Sequence, residues 1–172
     1  MAISNAFKFA NNILTNGGYD AADLVGAAGG PTAGQVIQVL TATDSTQRSI
    51  TGTSFITGSN TLSVTITPSS ASNKIFIICS FSVASPNSEN NPNSTAFATI
   101  YKGSSNLVAN NLSATNNEGR NSLVCITYLD SPATTSATTY QLRLKNQDPN
   151  YDTLYLNSGS VTGSITCFEI KG

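Results

Sequence analysis

The stretch Lys74-Ile-Phe-Ile-Ile-Cys-Ser-Phe-Ser-Val83 decides the fold. Ile75, Ile77, Cys79, Phe81 and Val83 fall on one side of an extended chain, and Phe76 and Ile78 fall on the other. Successive side chains of a strand point to opposite faces, so this run is a strand that is apolar on both faces over its first half. It reads as the central strand of a sheet. Upstream, Leu62, Val64 and Ile66 alternate with Ser63, Thr65 and Thr67 and stop at Pro68, the pattern of a half-buried strand. Val36, Ile37, Val39 and Leu40 open another. Downstream, strands are predicted over 96–102, 107–109, 122–129, 138–145, 153–156 and 164–170, with a weaker one over 49–56 that Gly52 interrupts. The connections Pro68-Ser-Ser-Ala-Ser-Asn73, Asp130-Ser-Pro132 and Asn157-Ser-Gly159 are built from turn residues. No window after residue 34 carries a helical period. About ten short strands at this spacing predict an all-β chain, an antiparallel β-sandwich of jelly-roll type, over residues 34–172.

Residues 1–33 have another character. Phe7, Phe9, Ile13 and Leu14 stand among small and amide residues, residues 20–25 suit one helical turn, and Gly26 to Gly34 is a small, flexible run. The segment is therefore expected to be an arm, extended or partly helical, followed by a Gly-rich hinge. Four large apolar side chains are too few to fold alone. They pack back on their own domain or dock on a partner, and the hinge favours docking. Phe7, Phe9, Ile13 and Leu14 are the expected docking residues.

Composition narrows the function classes. Charged residues make up 10% of the 172, with 8 basic against 9 acidic, while Ser, Thr and Asn number 23, 22 and 19. A nucleic-acid partner needs a basic face, and none is present. The absence of His removes His-based metal sites and Ser-His or Cys-His catalytic pairs. Asp148 and Asp152 are too few for a calcium loop and read as a turn. Of the nine acids, Asp20, Asp23, Asp44, Asp130 and Asp148 read as turn or linker residues. No catalytic residue, metal or cofactor is expected. Cys79, Cys125 and Cys167 each sit in a strand-like run and read as reduced core or interface thiols. No window is long and apolar enough to insert in a membrane, and residues 1–18 do not form a signal peptide. A surface this poor in charge suits close packing of identical copies, with Tyr101, Tyr128, Tyr140, Tyr151 and Tyr155 as candidate contact residues.

Two longer connections, Ser85–Ser94 and Asn110–Asn121, are rich in Asn, and their composition opposes helix and strand. They are expected to be exposed loops, either plain solvated connections or recognition loops. In the second reading Asn87, Glu89, Asn90 and Asn93 of the first loop, and Asn116, Asn117, Glu118 and Arg120 of the second, would contact a glycan on a host surface.

The strings Gln35-Val-Ile-Gln-Val39, Leu62-Ser-Val-Thr-Ile-Thr-Pro-Ser-Ser70 and Asn73-Lys-Ile-Phe-Ile77 resemble a β domain of bacteriophage tail fibres and related virion proteins. Tyr128-Leu-Asp-Ser-Pro132 through Tyr140, and Ile165-Thr-Cys-Phe-Glu-Ile170, are similar to that domain as well, cyanophage proteins among them. The resemblance covers residues 35–170. It implies a homotrimeric, non-enzymatic structural protein of a phage virion, assembled in the host bacterial cytoplasm and joined by its arm to other proteins of the tail or capsid. The chain lacks the long shaft of a full tail fibre, so a short fibre, an adaptor and a capsid-decorating protein stay open.

Overall fold

The computed structural model describes residues 30–84, 94–108, 112–116, 121–146 and 153–172. Among them run β1 (Val36–Asp44), β2 (Arg48–Ile50), β3 (Ile56–Thr57), β4 (Ser63–Ile66), β5 (Lys74–Ala84) and β6 (Ser94–Lys102). Then come β7 (Ser105–Asn106), β8 (Leu112–Asn116), β9 (Asn121–Asp130), β10 (Thr138–Asn146), β11 (Leu154–Leu156) and β12 (Gly163–Ile170). The helical content of the described residues is one short 3-10 turn over Ser158–Ser160. No helix among them is long and apolar enough to cross a membrane.

The strands make two antiparallel sheets. In the first, β1, β12, β5 and β9 lie side by side, with β11 and β2 continuing beside the end of β5. In the second, β4, β10, β6 and β8 lie side by side, and the short β3 and β7 extend β10 and β6. Ranked along the chain, the eight longest strands thus run 1-8-3-6 in one sheet and 2-7-4-5 in the other. That order is a jelly roll, two Greek keys wrapped into a sandwich.

Alternation supplies the core. Ile75, Ile77, Cys79, Phe81 and Val83 of β5 point inward with Ile165 and Cys167 of β12, and all are buried. They meet Ile100 of β6, Leu142 and Leu144 of β10, and Leu62, Val64 and Ile66 around β4 in one cluster. β5 is flanked on both sides by ladders, to β9 and to β12, so its reading as a central strand holds. Its outward residues Phe76 and Ile78, however, are only half-buried, because no layer of the described chain covers that face.

Four expectations need correction. The weak strand over 49–56 is two strands, β2 and β3, and they lie in different sheets because the chain crosses between layers near Gly52. The strand expected over 107–109 is not seen at 107–108, and residue 109 lies outside the described residues; the strand formed here is β7 at Ser105–Asn106, where the Gly103 turn (φ 56°) brings Ser105 opposite Lys102. The second Asn-rich connection is not wholly a loop. Residues 112–116 form β8, paired from Leu112 opposite Ala98 to Asn116 opposite Ser94, where the free edge of β6 outweighs weak intrinsic preference. Asp44 and Asp130 are not turn residues but the buried last residues of β1 and β9.

Candidate functional site

Two ends and two outward faces of the sandwich are left uncovered by the described residues. At one end, Ala84 of β5 lies opposite Asn121 of β9, and Ser94 of β6 lies opposite Asn116 of β8. The strand ends that lead into residues 85–93 and 117–120 therefore stand side by side. Asn146, which closes β10, is opposite Ala96 at the same end. At the other end, Val36 opens β1 opposite Ile170, which is itself opposite Lys74 at the start of β5. The chain runs into β1 there, and two backbone bonds clamp it: Gly34 N donates to Lys171 O at 2.7 Å, and Lys171 N donates to Gln35 O at 2.8 Å. Since β5 spans the sheet over 11 residues, the two ends are about 35 Å apart at the rise of an antiparallel strand.

Among the sequence-predicted residues, the structure places Asn116 as the last residue of β8. Asn87, Glu89, Asn90, Asn93, Asn117, Glu118 and Arg120 lie outside the described residues, as do the arm residues Phe7, Phe9, Ile13 and Leu14. Of the candidate contact tyrosines, Tyr101, Tyr128 and Tyr155 are half-buried, and Tyr151 lies outside the described residues. Tyr140 is a correction. It is wholly buried, with its hydroxyl on Asp130 Oδ2 at 2.6 Å, and has no surface to offer a partner. All three thiols are free. Burial pushes the Cys167 thiol up to about 12 and raises Cys79 further, so neither is a nucleophile at neutral pH. Cys125 is exposed on β9.

The end where the chain enters β1 is stiffened by a buried carboxylate. Glu169 is 1% exposed and accepts bonds from Ser69 N (2.6 Å), Ser69 Oγ (2.8 Å) and Asn73 Nδ2 (2.6 Å). Asn73 Oδ1 in turn accepts from Gly172 N. Burial opposes ionisation of Glu169, but the bonds from Asn73 and Ser69 and the charge of Lys171 outweigh it and hold the carboxyl below its ordinary value. Asp44 follows the same rule: burial opposes its charge, and bonds from Ser59, Arg48, Thr46 and Thr61 overcome that and lower it.

A pH dependence follows. Each folded-state value lies below the unfolded one, 4.5 for Glu169 and 3.8 for Asp44, so this contribution to stability is complete above those values. It drains away as pH falls through the lowered ones. Thermal melts should be flat from neutral pH to about pH 5 and then fall steeply. Glu169→Gln should melt lower at neutral pH yet lose less on acidification. An acid limb unchanged in that variant would remove Glu169 as its cause.

The two outward faces differ in character. On the second sheet, the Arg143 guanidinium lies 4.1 Å over the Tyr101 ring, and Lys145 Nζ stands 5.0 Å from Phe55 and 5.1 Å from Phe97. The first sheet shows an apolar row instead: Val39, Phe168, Phe76 and Leu129 are opposite one another across β1, β12, β5 and β9. Sequence reasoning did not find this row. Its signal was the double-faced apolarity of residues 75–78, which equally describes a strand buried on both sides. No group of His, Cys, Asp or Glu among the described residues is arranged to hold a metal ion.

Taken together, this is a jelly-roll sandwich whose open features are surfaces and loop stems. No protein-family model and no curated protein matches the chain. Among solved structures it is similar to a chain in the structure of infectious bursal disease virus Gx strain, with a TM-score of 0.51 and 17% identity. That likeness covers 78% of this chain and 32% of that one, and it shows the fold. A chain of the T13 particle of infectious bursal disease virus aligns with a TM-score of 0.46 and 14% identity over 81% of this chain and 36% of that one. The chain thus spans about a third of the length of these structures.

Proposed function

We propose that this chain is a non-enzymatic structural protein of a virus particle. In its finer form the reading is a homotrimeric bacteriophage protein, a tail fibre or short fibre, held to the particle by residues 1–33 and projecting the sandwich outward. One observation carries it. The chain enters β1 at one end of the sandwich, and the strand ends that lead into residues 85–93 and 117–120 stand at the other. An anchor and a set of outward loops need that polarity. The jelly-roll order and its likeness to a chain of a virus particle's structure support the coarser reading. The low charge supports self-packing.

Docking of the arm would be driven by burial of Phe7, Phe9, Ile13 and Leu14, about 1.5–3 kcal/mol for each side chain fully buried. Joining three arms multiplies the effect through avidity. Deleting residues 1–30 should leave a folded sandwich with an unchanged melt that no longer joins particles. Incorporation at normal copy number would end the anchoring role.

The shared end of the loop stems favours a second reading for the far end, capture of a host glycan by residues 85–94 and 110–121. Binding of the intact chain to host cells or to a glycan array tests it, and the loss of binding when residues 85–93 and 117–120 are replaced by Gly-Ser, a change that leaves β8 in place, is the expected result. A capsid-decorating or adaptor protein is the alternative placement, and a density map of the particle separates these.

A further inference from the structure

The outward face of the first sheet is built like an interior, and none of the described residues covers it. Val39 is 50% exposed and Leu129 49%, and between them Phe168 and Phe76 stack with ring centroids 6.2 Å apart. The next row along the sheet places Ile78 between threonines, and the row after it ends at the exposed Cys125. Lys74, at the rim, is the one charged side chain on the outward positions of these four strands. The second sheet carries its cations, Arg143 and Lys145, on its outward side. A monomeric protein rarely leaves a continuous apolar row of this kind to water. β9 also lacks the Pro and charged guards of an edge strand: its ten residues hold no Pro, and their one charge is the terminal Asp130, which is turned inward.

We propose that copies of this chain cover this face for one another, so that the outward sides of β1, β12, β5 and β9 form the contact between protomers. The inference rests on the self-association in the reading above and assigns it a surface. Charge decides the occupant. A basic or acidic partner finds no complement on a face whose one charge is at its rim, whereas identical copies with a net charge of −1 meet without repulsion. Around a three-fold axis one side of the face meets the other side of the same face on the next copy, so Val, Phe and Leu bury apolar area while Thr and Ser exchange hydroxyl bonds.

The test uses the full chain. Val39→Lys with Leu129→Lys places two ammonium groups on the row at positions that are half exposed and add nothing to the core. Light scattering should show an oligomer for the wild type and a monomer for the double variant, with the dissociation constant raised by about 100-fold or more. Thr135→Lys, on an exposed turn, should stay oligomeric. Cys125 gives a second readout, because Cys79 and Cys167 are buried and maleimide reads the exposed thiol alone. Its labelling should be slow in the oligomer and quicken about tenfold on dilution or in the double variant. Should the double variant fail to fold, Leu129→Ser and the dilution series of the wild type read the same contact.

An oligomer unmoved by the face substitutions overturns the proposal, and so does a wild-type monomer with freely labelled Cys125. Faster labelling on deletion of residues 1–29 with no change of mass also overturns it, since the arm would then be the cover. Particle incorporation is scored separately. A chain found in particles whose oligomer ignores the face variants sinks this surface alone. A chain that dissociates on substitution yet never joins particles keeps the surface and sinks the virion reading.

Discussion

Replacing Phe81 by alanine is expected to lower the unfolding free energy by about 3–5 kcal/mol, enough to leave a typical domain barely folded. Phe81 is 1% exposed on the inward side of β5, opposite Val124 of β9. Two terms add: the lost transfer of a phenyl ring out of water and the cavity it leaves. The cavity cannot close easily. β5 is held to β9 by pairing from Ile75 to Ala84 and to β12 by pairing from Lys74 to Ser80, so the strand cannot slide inward without breaking ladders. Phe76, five residues earlier on the opposite face, is the internal control. It is half-buried against Phe168, and its replacement by alanine should cost well under half as much. Urea midpoints at one fixed protein concentration, with an unchanged slope, check both, since self-association makes apparent stability depend on concentration. A Phe81→Ala loss below about 1 kcal/mol would mean that the two sheets do not pack there as described.

The contrast between Phe81 and Phe76 also shows how far the sequence could be read. Alternation identifies a strand and separates its faces, and for β4, β5, β9, β10 and β12 the expected strands are those observed. Alternation does not say whether a second apolar face is covered by the chain's own layers or by another molecule. Phe76 and Ile78 look the same in either case, so the row Phe76 forms with Val39, Phe168 and Leu129 emerges only from register between strands distant in sequence. β8 was hidden for a related reason. Leu112-Ser-Ala-Thr-Asn116 has little preference of its own, and its partner is the edge of β6. Acids at strand ends mislead in the opposite direction. Asp44 and Asp130 precede the turn residues Ser45 and Ser131, and local chemistry assigns such positions to water. Their donors, Ser59, Lys102 and Tyr140, come from elsewhere in the chain and turn each into a buried anchor. Of the candidate site, backbone pairing fixes the strand ends at Ala84, Ser94, Asn116 and Asn121 and the entry of the chain into β1. Of the side chains named at those positions, all but Asn116 belong to residues outside the described ones.

Asp130 gives the second large effect, and its removal should cost about 3 kcal/mol or more. The carboxylate closes β9 in the first sheet at 6% exposure and is bound by two groups of the second sheet. Lys102 Nζ of β6 donates to both oxygens at 3.0 Å, and Tyr140 Oη of β10 donates to Oδ2 at 2.6 Å. Burial, and then the bond and charge of Asp130, hold the Tyr140 phenol protonated far above its ordinary range, so the hydroxyl remains a donor at every pH at which the protein folds. Asp130→Ala orphans that donor inside the core, at a cost of about 1–3 kcal/mol, and strips the ammonium of its partner. Lys102, with 30% of its side chain exposed, recovers part of the loss by turning to water, which puts the expected value at the low end of the range for broken buried pairs. The partners' own removal should tell the opposite story. Lys102→Met with Tyr140→Phe on the Asp130→Ala background leaves no group unpaired and should restore most of the stability, because buried ionic groups replaced together by apolar ones are close to neutral. A full cycle of single, double and triple variants by urea denaturation measures this. If Asp130→Ala alone costs less than about 1 kcal/mol, the three groups do not join the sheets. If the triple variant is as unstable as the single one, then the network itself, and not the orphaned donors, holds that end of the sandwich closed.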